Sequence, residues 1–377
     1  MYIFTRTIEK ELKDRLFQNK VIILYGARQV GKTTLVKKIL SEYAEKGKYL
    51  NCENLSVQQG LATEESSTLK SFLGDNSLIV LDEAQKIPNI GLKLKLLVDT
   101  FPELQIIATG SSSFDLANSL SEPLTGRTFH FMLTPLSVEE IRSHTDLFTV
   151  SAQIEKLMRF GSYPEIYSLT DDVAMEHINE IASAYLYKDI LQFEGIKKSS
   201  IVQKLLQLLA LQLGQEVSYN ELATQLKVSR PTVQKYLDIL EKSFVVFTLR
   251  AFSRNKRKEI SKSVKVYFYD NGIRNSLIQN FNPLSLRDDV GALWENFCIS
   301  ERYKYNVSHR HQPNSYFWRT YDQKEVDYVE EANGEIHGFE CKWNPEKSIK
   351  IPRTFIETYS ADVTVVTPKN CWNFFGV

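Results

Sequence analysis

Apolar positions in the first third of the chain fall into short continuous runs separated by stretches of helical period. Val21-Ile22-Ile23-Leu24-Tyr25, Leu78-Ile79-Val80-Leu81 and Leu104-Gln105-Ile106-Ile107-Ala108 read as strands buried on both faces. Between them, stretches such as Thr34–Leu40 carry apolar residues at helical spacing. Alternation of this kind predicts an α/β region with a parallel sheet over residues 1 to about 145. Ser137 followed by Glu140 reads as a capping box that starts a helix. From 151 to 213 the pattern is helical, broken at Gly161-Ser162-Tyr163-Pro164.

Residues 216–250 predict two short helices and a strand. Ser218 to Glu221 caps a helix ending at Leu226, and Lys227-Val228 makes the turn. Ser229 caps a second helix with Pro231 in its first turn, and Val233, Tyr236, Leu237 and Leu240 form its apolar stripe. Phe244–Leu249 is the following strand. The arrangement reads as a winged helix-turn-helix. Further on, Val326–Val329 and Ile336–Lys342 are strands joined by Asn333-Gly334, a pair that favours a two-residue type I′ turn. With that turn, Asp327 faces Glu340, Glu325 faces Lys342, and all four project from one side of the hairpin.

The strand ends carry the chemistry. Gly26-Ala27-Arg28-Gln29-Val30-Gly31-Lys32-Thr33, followed by Thr34, is a GxxxxGK[ST] phosphate-binding loop between a strand and a helix. Its glycines let backbone N–H groups curl around phosphates, Lys32 adds charge, and the Thr33 hydroxyl suits Mg²⁺. Asp82-Glu83 closes the second strand and resembles a Walker B motif, with Asp82 for Mg²⁺ and Glu83 for the attacking water. The third strand ends in Thr109-Gly110-Ser111-Ser112-Ser113, where Thr109 or Ser111 is placed to sense a γ-phosphate. Arg127 reads either as an arginine finger, in cis or in trans, or as an ordinary ion-pairing arginine. These signals imply that the chain binds ATP or GTP.

Composition narrows little. Among 377 residues, Lys plus Arg equals Asp plus Glu at 46 each, so local clusters must be read instead of net charge. One such cluster holds Arg254, Lys256, Arg257, Lys258, Lys262 and Lys265, opposed only by Glu259. It reads as a basic wing on DNA phosphates, with Arg230, Thr232, Gln234 and Lys235 near a groove, or as a solvated loop beside a packing helix pair. The four cysteines show no metal spacing and read as reduced thiols in a cytoplasmic protein. No apolar run reaches the ~20 residues of a membrane span, and the first residues lack signal-peptide shape.

In the last third, the D…ExK spacing of Asp327, Glu340 and Lys342 resembles the PD-(D/E)xK restriction-endonuclease fold. Val326 stands where that pattern has proline, and Glu295 matches its extra helical carboxylate. Two facing carboxylates repel, and a second divalent metal at Asp327 and Glu340 would offset the cost. Alternatively the face is ion-paired and the domain inert.

The ordered set GARQVGKTT, LDEAQ, TGSSS, LTGR, GSYPE, YDNGIRN and EVDY…ECKW resembles a bacterial and archaeal family of AAA-type ATP-binding proteins ending in a restriction-endonuclease-like domain of unknown function. The resemblance implies ATP with Mg²⁺, and carries Tyr163 and Pro164 over as adenine contacts. The expected organisation is an AAA-type P-loop ATPase core at 1–147, a helical lid at 148–213, a winged helix-turn-helix at 214–258 and a restriction-endonuclease-like α/β domain at 259–377. Two functions follow as expectations. One is an ATPase associated with DNA, with a nuclease-like C-terminal domain. The other is a nucleotide switch with an inert C-terminal domain and a protein partner. A homo-oligomer is expected if Arg127 acts in trans, and no membrane partner is expected.

Overall fold

The computed structural model describes residues 4–43, 45–111, 124–185, 199–253, 264–320, 322–344, 346 and 351–377. They form two compact units, Thr5–Thr134, and Phe4 with Pro135–Val377. No helix among the described residues is long and apolar enough to cross a membrane. All four cysteines are unpaired and buried.

The first unit is an α/β layer. Its strands are β1 (Val21–Tyr25), β2 (Gly47–Asn51), β3 (Leu78–Asp82), β4 (Gln105–Gly110) and β5 (Thr128–Met132). They pair only in parallel, in the order β2-β3-β4-β1-β5. The expected apolar runs are the three central strands, and they are buried almost throughout. The two edge strands carry polar residues such as Lys48 and His130 and gave no apolar run. Helices α1 (Ile8–Asp14), α2 (Lys32–Ser41), α3 (Leu55–Gly60), α4 (Ser66–Leu73) and α5 (Ile90–Thr100) belong to this unit. Leu69, Leu73, Leu94 and Leu97 from α4 and α5 close the core over Ile79, Leu81 and Ile106.

The second unit opens with α6 (Val138–Arg142), α7 (Leu147–Phe160), α8 (Asp171–Tyr185) and α9 (Ser199–Leu211). Ser137 and Glu140 form the expected capping box. Next come β6 (Glu216–Val217), α10 (Tyr219–Leu226), α11 (Arg230–Lys242), β7 (Val246–Ala251) and β8 (Val264–Phe268). Ser218 and Ser229 cap α10 and α11, and Lys227 takes the left-handed conformation at the turn between them. The chain continues through α12 (Asn271–Leu277), α13 (Val290–Ser308), β9 (Asn314–Arg319), β10 (Glu325–Ala332), β11 (Glu335–Cys341), α14 (Arg353–Tyr359), β12 (Asp362–Val366) and α15 (Trp372–Phe375).

One seven-stranded sheet, in the order β12-β11-β10-β9-β7-β8-β6, runs through this unit. Strand β7 pairs antiparallel with β8 and parallel with β9, so the hairpin after α11 is built into the C-terminal sheet. The expected boundary at 258 therefore falls inside one sheet and does not separate two bodies.

The Tyr269–Asn275 segment is a structural knot. Asp270 caps α12 through the N–H groups of Gly272 and Ile273, at 2.8 and 3.2 Å, while its other oxygen accepts the Ser162 N–H at 2.8 Å. Asn275 donates to the carbonyls of Met158 and Arg159 at the end of α7, groups a helix leaves unpaired. Gly161 has φ +79°, and a Cβ there would lie 1.9 Å from the Asp270 carboxylate. Gly161→Ala must therefore displace a buried carboxylate as well as strain the backbone. The expected loss is about 2–4 kcal/mol, read as a lowered thermal transition; an unchanged transition would refute the close packing.

Candidate functional site

Because the strands of the first unit are parallel, β1, β3 and β4 end at the same edge of the sheet. There Gly26 turns the chain out of β1 with φ +150°, and a Cβ at Gly26 would lie 2.0 Å from the Leu133 carbonyl oxygen. Gln29 and Gly31 also have positive φ, and Gly31 opens α2. Ala27 and Val30 are buried, Arg28 and Thr33 are half-buried, and Gln29 and Thr34 are exposed. The Lys32 ammonium is buried and donates to the carbonyls of Gly26 and Ala27, both at 2.8 Å, so the lysine folds back on its own loop.

Asp82 sits at the centre of this edge. Its Oδ2 accepts from Thr33 at 2.8 Å and from Tyr49 at 2.5 Å, and its Oδ1 accepts from Thr109. Thr109 also accepts the Glu83 N–H at 3.1 Å, so its hydroxyl is fully engaged beneath the strand ends and does not stand free for a γ-phosphate. Glu83 has a left-handed backbone, and its carboxylate accepts from Gln85 at 2.6 Å. The Ser111 hydroxyl lies 3.4 Å from the same Gln85 amide. Ser112 and Ser113 lie outside the described residues. Burial, with Asp82 and Glu83 adding, pushes the Cys52 thiol up to about 12, so it stays neutral.

The donors fit the expected ligands. Loop amides and an ammonium suit phosphate, and the adjacent oxygens of Thr33 and Asp82 suit a hard cation such as Mg²⁺. Arg127 is placed differently. Its carbonyl accepts the Val21 N–H at 2.9 Å, at the amino end of β1, and its side chain pairs with Asp99 at 2.7 Å. Five strand residues, roughly 16 Å, separate that edge from the phosphate loop. An arginine finger in cis is thus corrected to a paired arginine at the opposite edge.

Sequence reasoning missed two supports. Arg6 is buried and donates to the Val30 carbonyl at 2.7 Å and to the Thr134 carbonyl at 2.6 Å, bracing the loop from outside any motif. Tyr49 lies on an edge strand that gave no signal. Neither could be found without knowing which strands are neighbours.

In the second unit, Tyr163 of the Gly161–Pro164 turn is buried and Pro164 is half-buried. The Ser162 hydroxyl accepts from Lys304 at 2.9 Å, and Lys304 pairs with Glu301 at 2.6 Å. Arg230 and Lys235 are exposed on α11. Arg254, Lys256, Arg257, Lys258 and Lys262 lie outside the described residues. Lys265 does not belong with them: it is buried, 3.0 Å from Glu295, and also paired with Glu325.

The β10–β11 hairpin has the expected register, with Tyr328 opposite Phe339, Ala332 opposite Glu335, and positive φ at both Asn333 and Gly334. The ladder stops there, because Asp327 takes the Cys341 N–H at 2.8 Å with its side chain. Lys342 reaches Asp327 at 3.1 Å and Glu340 at 2.7 Å. The expected Glu325–Lys342 pair is not formed: Lys342 hydrogen-bonds toward β12, and Glu325 turns to Lys265 and Arg319. Glu295 is held by Lys265 and by the Tyr267 hydroxyl at 2.6 Å. The Lys342 ammonium thus bridges the two carboxylates assigned to a second metal. Among the described residues no three His, Cys, Asp or Glu side chains converge as a metal site.

Residues 18–142 match the AAA domain family. Residues 151–284 and 290–371 match two domains of unknown function, DUF8612 and DUF4143. The chain is 28% identical to the uncharacterized protein Rv2008c of Mycobacterium tuberculosis, over 98% of this chain and 81% of that protein. It is 26% identical to the uncharacterized protein MJ1544 of Methanocaldococcus jannaschii, over 78% and 69%. A chain from the structure of Drosophila ORC bound to AT-rich DNA and Cdc6 aligns over 72% of this chain and 92% of that one, with 12% identity and a TM-score of 0.26, too low to carry an argument. The AAA match, with the parallel sheet and phosphate loop, supports a nucleotide-binding ATPase.

Burial, with the Asp327 charge adding, pushes the carboxyls of Glu295 and Glu340 up to about 7, against the pull of Lys265 and Lys342 respectively. Raised carboxyls bind more protons folded than unfolded. Their contribution to stability is therefore present below the unfolded value and lost as pH rises through about 7. Asp327→Asn should lower both values and flatten the fall in thermal stability between about pH 5 and 7. A profile identical to the parent's would contradict this electrostatic account.

Proposed function

We propose that this protein is a cytoplasmic, Mg²⁺-dependent ATPase of AAA type that works as a nucleotide-driven switch on DNA. The observation that carries the reading is the convergence of Lys32, Thr33, Asp82 and Glu83 at one sheet edge, with Thr33 and Asp82 2.8 Å apart. Catalysis of phosphoryl transfer is mainly positioning and charge neutralisation. Lys32 exchanges the carbonyls of Gly26 and Ala27 for phosphate oxygens, and the loop amides hold the same group. Thr33 and Asp82 hold Mg²⁺, which when bound neutralises phosphate charge. Glu83 polarises the attacking water, and Ser111 lies at the end of β4 for a phosphate contact. Arg127, at the far edge, serves a second copy's nucleotide, so the working form is a homo-oligomer.

The succession α9-β6-α10-α11-β7-β8, with β8 between β6 and β7, supports a winged helix-turn-helix. On this reading α11 presents Arg230 and Lys235 to DNA, and the segment 254–258 adds phosphate contacts. The C-terminal sheet is a restriction-endonuclease-like scaffold that binds DNA or a protein partner. Its carboxylates are ion-paired with Lys265 and Lys342, which favours an inert centre over a metal-dependent nuclease.

Lys32→Ala should weaken ATP binding at least 100-fold by titration calorimetry; parental affinity would refute the nucleotide assignment. Replacing Arg230 and Lys235 together by Ala should weaken duplex binding and reduce the slope of log affinity against log salt by about 2. An unaltered slope would remove α11 from the interface. Incubation with duplex or single-stranded DNA and Mg²⁺ or Mn²⁺ should give no cleavage, and cleavage abolished by Asp327→Ala would establish the nuclease reading instead.

A further inference from the structure

Asp82 accepts three hydroxyls, and only Thr33 and Thr109 come from the strand-end motifs. The third comes from Tyr49, in the middle of the edge strand β2. Tyr49 pairs with Val80, two residues short of Asp82, so the two side chains emerge about 7 Å apart along the strand. That gap is the length of a phenol. The Tyr49 hydroxyl therefore meets Asp82 Oδ2 at 2.5 Å, the oxygen that also faces Thr33. On the other side, the Lys37 ammonium of α2 lies 4.6 Å from the centre of the Tyr49 ring. Tyr49 thus spans from the helix behind the phosphate loop to the carboxylate at the end of β3.

We propose that Tyr49 is a positioning residue for the divalent cation. Its hydroxyl fixes the orientation of Asp82, so that Oδ2 and the Thr33 oxygen present one pre-arranged pair of donors to Mg²⁺. The inference rests on the ATPase reading given above. A carboxylate fixed by Thr109 on one oxygen can still swing its other oxygen away from Thr33, and Tyr49 holds that second oxygen. Partners that orient a metal ligand typically matter 10–100-fold in metal affinity or activity.

The test uses the full chain and Tyr49→Phe, which keeps the ring and its contact with Lys37. Two quantities are measured: binding of the fluorescent analogue mant-ADP in EDTA, and ATP hydrolysis as a function of free Mg²⁺. The expected result is an approximately 10-fold higher Mg²⁺ concentration for half-maximal hydrolysis, with Mg²⁺-free affinity unchanged within about twofold. Coincident Mg²⁺ curves for variant and parent would overturn the proposal. So would an equal loss of affinity in EDTA, which would mean a packing role. If the parent itself neither binds the analogue nor hydrolyses ATP, the ATPase reading falls and takes this inference with it. A parent that does both, with an indifferent variant, removes the inference alone.

Discussion

Everything in the first unit depends on its five strands running parallel. A parallel sheet delivers each strand's carboxyl end to one edge, so residues far apart in sequence meet there without any long-range pairing of their own. Gly26 leaves β1, Asp82 closes β3 and Thr109 lies one residue before the end of β4 at that edge. The same rule sends Arg127 to the other edge, because it precedes a strand. Direction alone therefore separates the residues gathered at the phosphate-loop edge from Arg127 at the opposite one.

The second unit depends on buried charges that are each given partners. Asp270 serves a helix start and the Gly161–Pro164 turn with separate oxygens. Glu301 takes the Val138 N–H at 2.7 Å, and Lys304 holds the Leu136 carbonyl at 3.1 Å. Leaving any of these unpaired in the interior would cost several kcal/mol, on the order of 3–5, which is why each is given a partner. The Lys265 and Lys342 groups apply the same logic beside four carboxylates. Burial, with the Asp327 charge adding and the two lysines opposing, keeps the Glu295 and Glu340 carboxyls protonated to near neutrality.

Much of this was legible where the signal is local. The phosphate loop is contiguous, and the three central strands announce themselves as apolar runs because both their faces are covered. Asn333-Gly334 carried the hairpin register because two residues with positive φ specify the turn that sets it. The edge strands β2 and β5 were illegible, since a half-covered strand tolerates polar residues. The Glu325–Lys342 pairing failed for a related reason. Alternation in an ideal hairpin holds only while the ladder continues, and a side chain, Asp327, ends it.

Local sequence was enough for the three central strands, the nucleotide-type loop and the turn chemistry, because each depends on residues within a few positions of one another. The partners were set by packing. It merged the hairpin after α11 with the C-terminal sheet, buried Lys265 among carboxylates rather than on a basic wing, and brought Arg6 to the phosphate loop and Tyr49 to Asp82. Those outcomes depend on which strands become neighbours and which charges lose water. Both are properties of the packed chain, and no short window of sequence contains them.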